Sequence, residues 1–247
     1  MTVDLTATTI EIAGDGGDQI EAYFARPLTD ARVGGVVVIH HLPGYDEATK
    51  EITRRFAANG YLAICPNLYS REAPGMSSDD AAATARAMGG VPDERLVGDV
   101  AGAAAFLRAQ VNSNQKLAVI GYCSGGRQSV LSACSLPFDA AVDCYGACVV
   151  VDAPKDSPFT FTSLTSKLAN LSCPMLGLFG ADDTFPTPEQ NEEMARLLHE
   201  HGKSFEAHTY QGAGHAFFNV DRPSFRPDAA KEAWGEIWKF FATHLSA

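Results

Sequence analysis

Short apolar runs recur along the chain, separated by longer stretches whose apolar positions follow helical spacing. The runs Val36–His41, Tyr61–Cys65, Leu117–Tyr122, Ala140–Tyr145, Met175–Gly180 and Ser204–Tyr210 predict strands. Most are apolar without interruption, as strands covered on both faces must be. Ahead of them, Ile10–Ala13 and Gln19–Ala25 flank the turn Gly14-Asp15-Gly16-Gly17 and predict an antiparallel hairpin on the sheet edge. Helical patterns run from Asp46 to Ala58, ended by Asn59-Gly60, and from Pro188 to His201, ended by Gly202. A third runs from Pro227 to His244, with Ala230, Trp234, Ile237, Trp238 and Phe241 on one stripe that reads as core. Another helix is expected from about Gly126, and the Ala- and Gly-rich Ser77–Gly90 reads as a helix or part of a lid.

Strands alternating with helices define an α/β chain with a mostly parallel sheet and helices on both faces. No linker, repeat or low-complexity stretch interrupts the alternation. The expectation is one domain over residues 1–247, with edge strands in 1–30, an alternating core in 31–247 and no large cap.

Composition narrows the function classes. At 46% apolar and 20% charged residues, the chain can bury a sizeable core without staples. A formal charge of −11 with no Lys/Arg run excludes a phosphate-backbone partner. The first residues lack a secretory pattern and no stretch is apolar for long enough to span a bilayer, so no membrane association and a cytoplasmic location are expected. There the six cysteines (Cys65, Cys123, Cys134, Cys144, Cys148, Cys173) are expected as reduced, mostly buried small hydrophobes. Their spacing matches no metal site.

Gly121-Tyr122-Cys123-Ser124-Gly125-Gly126 follows a predicted strand and opens a helix, the context of a nucleophile elbow. Its central residue is Cys123. The flanking glycines remove Cβ atoms that would collide, and the helix N-terminus favours a thiolate. Ser124 is out of register as nucleophile, but its N–H suits an oxyanion hole. Downstream, Gly180-Ala181-Asp182-Asp183 leaves an apolar strand and Gly212-Ala213-Gly214-His215 leaves the next. Asp183 is preferred to Asp182 as the acid and His215 is the expected base, in the chain order nucleophile, acid, histidine. Taken singly, each has a plainer reading: a helix cap at Pro188, a turn histidine, a packed thiol. Three in order at strand C-terminal ends make the set.

The elbow GYCSGG, the GADD loop, the AGH segment and Cys65–Gly75 together resemble the dienelactone hydrolase family over nearly the whole chain. The resemblance implies an α/β-hydrolase fold, a triad of Cys123, His215 and Asp183, and hydrolysis of small lactone or ester molecules without metal or organic cofactor. It also implies the N–H of Leu42 as second oxyanion donor. Two positions depart from the family pattern. His41 stands where dienelactone-cleaving members have a Glu, so thiol activation is expected to differ, with His41 either assisting or only lining the pocket. Asn219 stands four residues beyond His215 where an Arg would help hold a substrate carboxylate. Arg86 matches the other such position or is a solvated surface residue, and Arg222 and Arg226 are candidate substitutes. A substrate other than dienelactone follows. Tyr122, Tyr145, Phe217 and Phe218 are expected to shape the pocket or to pack. The rivals are a non-hydrolytic thiol protein, redox-sensing or carbonyl-binding, and a scaffold that has lost activity. Oligomeric state is not readable.

Overall fold

Periodicity decides which face each strand residue serves. The computed structural model describes residues 4–246; residues 1–3 and 247, included in the one-domain expectation, lie outside the described residues. The strands are β1 (Leu5–Ala13), β2 (Gln19–Pro27), β3 (Val33–Ile39), β4 (Leu62–Pro66), β5 (Ser113–Tyr122), β6 (Ala140–Cys144), β7 (Met175–Gly180) and β8 (Phe205–Tyr210). They form one eight-stranded sheet in the order β1-β2-β4-β3-β5-β6-β7-β8. β1 pairs antiparallel with β2 and β2 with β4, whereas β4, β3, β5, β6, β7 and β8 are mutually parallel neighbours. The predicted edge hairpin is therefore present and longer than expected.

The helices are α1 (Glu47–Ala58), α2 (Ser78–Ala87), α3 (Asp93–Arg108), α4 (Ser124–Ser135), α5 (Pro188–Glu200) and α6 (Pro227–His244). Side chains alternate across the pleat. Val37, Ile39 and Val119 face a core shared with Leu96, Leu107, Val130 and Met194 of α3, α4 and α5. Val36, Val38 and Ile120 face a second core with Phe56 of α1 and Trp234, Ile237 and Phe241 of α6. Phe56 is the centre of that aromatic set, 5.5 Å from Trp234, 5.4 Å from Trp238 and 5.8 Å from Phe241 between centroids.

Ser77–Gly90 is settled as a helix: Ser77 caps α2 by accepting from the Asp80 N–H. Helix α4 starts two residues earlier than expected, at Ser124. Helix α3 had no counterpart among the predicted helices. Among the described residues no helix is long and apolar enough to cross a membrane. The five cysteines other than Cys123 are buried free thiols.

Candidate active site

Between the end of β5 and the start of α4, Cys123 takes φ 57° and ψ −120°. A side-chain-bearing residue in that region is strained and must be held there by its surroundings. The Cys123 N–H donates to the Cys144 carbonyl at 3.0 Å, and the Cys123 carbonyl accepts from the Gly126 N–H at 2.9 Å. The turn is also closed sterically: a Cβ at Gly121 would lie 1.8 Å from the Gly125 carbonyl oxygen, and one at Gly125 2.5 Å from the Ile39 oxygen. Only glycine fits at either place. The half-buried Cys123 thus sits at the positive end of the α4 dipole.

Asp183 follows β7 and is buried, and His215 follows β8. The His215 Nδ1 lies 2.9 Å from Asp183 Oδ2, and the other carboxylate oxygen accepts the Phe185 N–H at 2.9 Å. With Nδ1–H donated to Asp183, Nε2 is left for Cys123, which also raises the imidazole pKa. Burial alone lowers the His215 pKa, but the hydrogen bonds to Asp183 and Cys123 and their negative charges outweigh it and push the imidazole up to about 10. The ring is therefore an imidazolium beside the sulfur at neutral pH. Helix α5 does not use Asp182 or Asp183 as its cap, because Thr187 accepts the Gln190 N–H and Gln190 completes a capping box.

Cys123, Asp183 and His215 line a cavity of about 270 Å³ together with Leu42 and Ser124. The Leu42 N–H has no backbone acceptor among the described residues. Its peptide is fixed from behind: Tyr69 OH donates to the Leu42 carbonyl at 3.1 Å. His40 clamps the same loop, with Nδ1 2.9 Å from the His41 carbonyl and Nε2 accepting the Leu68 N–H at 3.2 Å. Burial lowers the His40 pKa to about 4, so this imidazole is a neutral strut.

The remaining predicted residues lie elsewhere. His41 Nε2 is 2.6 Å from Asp46 Oδ2. Asp46 also caps α1, and although burial opposes its charge, the hydrogen bonds from His41 and Thr49 win and hold it at about 2. His41, Tyr122, Tyr145 and Asn219 line a second groove of about 310 Å³ along α1, beside the residues around Cys123. The Tyr145 ring meets His215 edge-on at 5.1 Å. Phe217 is wholly buried and stacks on Phe218 at 4.7 Å, a packing residue. Arg86 ends α2 and is not among the residues lining either space, though its charge acts on Tyr69. Arg226 donates to the carbonyls of Gly212, Pro223 and Phe225.

Sequence reasoning missed the opposite wall of the cavity, which Cys148, Phe159 and Phe161 supply. It also missed Arg127, which fastens that wall. Wholly buried one turn after Cys123, its two Nη atoms bind the Asp93 carboxylate at 2.8 and 2.9 Å. It also donates to Thr162 O at 2.8 Å and Cys148 O at 3.3 Å. A lone charged residue in an otherwise small and apolar helix start was the available signal.

A strained Cys at the elbow after β5 of a mostly parallel sheet, with an acid on the loop after β7 and a histidine on the loop after β8, defines an α/β-hydrolase. The chain belongs to the dienelactone hydrolase family, whose sequence profile matches residues 20–245. A provisionally named carboxymethylenebutenolidase of Salmonella typhimurium is 33% identical over 231 residues, covering 92% of this chain and 84% of that protein. A Bradyrhizobium protein named for 2-oxo-3-(5-oxofuran-2-ylidene)propanoate lactonase activity is 28% identical over 94% of this chain and 92% of its own. A crystal structure of a dienelactone hydrolase homologue from Klebsiella pneumoniae superposes with a TM-score of 0.84 at 29% identity, covering 97% of this chain and 99% of that one.

Proposed function

We propose that the protein hydrolyses lactones or carboxylic esters through an acyl-enzyme on Cys123, with Asp183 and His215 completing a triad. The observation that carries the reading is the Asp183 carboxylate bonded to the His215 ring, with both residues and Cys123 lining one cavity. The thiolate attacks the carbonyl carbon, and the N–H groups of Leu42 and Ser124 receive the oxyanion. The C–O bond to the leaving oxygen breaks as His215 donates its Nε2 proton to that oxygen. The now neutral ring takes a proton from water, which attacks the thioester carbonyl and releases acid and thiolate. Enol esters and strained lactones suit this nucleophile best, because a thiolate is itself expelled when the leaving group is poor. The absence of Arg at 219, and of Arg86 from the residues lining the cavity, supports a substrate other than dienelactone.

The test is intact-mass trapping during turnover of an aryl ester or enol lactone. Native protein should carry the acyl mass on Cys123, and Cys123→Ala should lose both adduct and turnover while keeping its circular dichroism spectrum. Undiminished turnover by Cys123→Ala, or an adduct on Ser124, would sink the proposal.

One observation favours a second reading. Cys148, at φ 60°, lines the same cavity as Cys123 and offers the resolving thiol that a hydroperoxide-responsive protein needs. Peroxide titration separates the two, since a resolved sulfenic acid leaves the protein 2 Da lighter with a Cys123–Cys148 disulfide, and the hydrolase reading needs no such species.

A further inference from the structure

We infer that the cavity at Cys123 takes an uncharged ester or lactone bearing a flat unsaturated or aromatic ring and discriminates against the carboxylate-bearing form of the same ring. This rests on the acyl-transfer reading and narrows its substrate.

Shape is the first support. Phe159 and Phe161 border the cavity with their rings 5° from parallel and 5.2 Å apart. The segment carrying them is held on several sides. The Ala153 N–H donates to Phe161 O at 2.8 Å and the Thr160 N–H to Gly89 O at 3.3 Å. The Arg127 guanidinium lies 4.8 Å over the Phe161 ring. Two aromatic side chains fixed in this way form a rigid apolar boundary, against which a planar ring is ordered at little entropic cost. Volume agrees: a cavity of about 150 Å³ accommodates benzene, so about 270 Å³ takes a ring with its ester group.

Charge is the second. The ionisable lining groups are Cys123, Cys148, Asp183 and His215, and no Lys or Arg lines the cavity among the described residues. The His215 imidazolium is matched by Asp183 at 2.9 Å, which leaves no unpaired cation in the lining for a substrate carboxylate. The cation just behind the wall, Arg127, is wholly buried with its fork on Asp93, its Nε on Cys148 O and a further bond to Thr162 O. A substrate carboxylate would lose water here and gain no partner, in a chain that already carries a formal −11.

The test compares kcat/KM at neutral pH for a benzylidene butenolide, its para-carboxy analogue and the methyl ester of that analogue. The carboxylate should fall at least about tenfold below the parent, and the bulkier but uncharged methyl ester should recover most of the loss. Equal rates for carboxylate and parent, or a preference for the carboxylate, overturn the charge argument. Ala153→Arg, which brings a cation to the half-exposed rim, should narrow the gap. Phe161→Leu keeps the wall apolar and should raise KM for the benzylidene compound more than for the bare methylidene butenolide; equal changes overturn the flat-ring argument. Cys123→Ala is assayed alongside. If it abolishes turnover while the charge ratio is one, the selectivity inference alone falls; if turnover survives, the acyl-transfer reading falls as well.

Discussion

At the scale of single residues, His215 carries the strongest electrostatic statement. Its pKa is raised to about 10 by Asp183 and Cys123 against the opposing effect of burial. A raised histidine contributes stability that is fully present below its unfolded value of 6.5 and is lost as pH climbs through about 10. In the proposed reaction the same proton is delivered to the leaving oxygen, so the alkaline limb of kcat/KM should report the imidazolium. Asp183→Asn removes the leading support for the charge, and the limb should move toward lower pH while kcat drops by roughly 10²–10⁴. A pH–rate profile with an unmoved limb would assign it to another group. Cys123, Asp183 and His215 stood out in sequence as candidates because each is announced by small residues at a strand end. What His41 does was not readable: its partner Asp46 is a helix cap, and only the folded loop brings the two within 2.6 Å. Cys148, Phe159 and Phe161 were equally hidden, since they lie in irregular backbone where no periodicity marks a face.

At the scale of elements, the central strands were legible because continuous apolar runs have few other uses, and most helices because their ends are written in Asn-Gly, Pro and Gly. Helix α3 was not, for a physical reason. Its buried face is Leu96, Asp99, Val100, Ala103, Ala104 and Leu107, and small residues on every side blur the contrast that defines a stripe. The smallness serves packing: a Cβ at Gly102 would stand 1.9 Å from the Ala13 carbonyl, so α3 touches the edge hairpin backbone to backbone. Buried Asp99 locks that contact by accepting from the Asp15 N–H at 2.8 Å and from both Nη atoms of Arg71 at 2.9 Å. The elbow is a harder constraint still. Gly121→Ala places its Cβ inside the Gly125 carbonyl and should cost at least about 3 kcal/mol, a fall in Tm of roughly 6–12 °C for a chain this size. Gly235→Ala in α6 meets nothing within 4 Å and should instead stabilise by about 0.5–1 kcal/mol. Differential scanning calorimetry on the two variants tests both; a neutral Gly121→Ala would mean that the elbow backbone is free to move. On the wall, Asp93→Ala leaves Arg127 buried without its carboxylate and should cost about 3–5 kcal/mol, measurable by urea unfolding.

At the scale of the whole molecule, two buried titratable groups set opposite pH dependences. His40, which clamps the Leu42 loop, is held at about 4 by burial. Between that value and its unfolded 6.5 the unfolded chain binds a proton that the native state refuses, so stability falls as pH falls. Asp143, in the middle of the sheet on β6, is raised by burial to about 7, only partly opposed by the Gly146 N–H that it accepts at 2.8 Å. Between 3.8 and about 7 the native state keeps a proton that the unfolded chain has released, so here stability falls as pH rises. Each slope is about 1.4 kcal/mol per pH unit, and where the windows overlap, from about 4 to 6.5, they cancel. Asp46, held at about 2, changes state below that span, and His215 contributes its loss above it. Native protein should therefore show nearly constant unfolding free energy across the overlap. Asp143→Asn keeps an oxygen for the Gly146 N–H but no titration, which leaves the His40 slope unopposed. Whatever its absolute stability, that variant should lose about 1.4 kcal/mol for each unit of acidification below 6.5. Urea titrations at three pH values across the window decide it, because a variant as flat as the native protein would show that His40 and Asp143 do not hold the proton states their burial dictates.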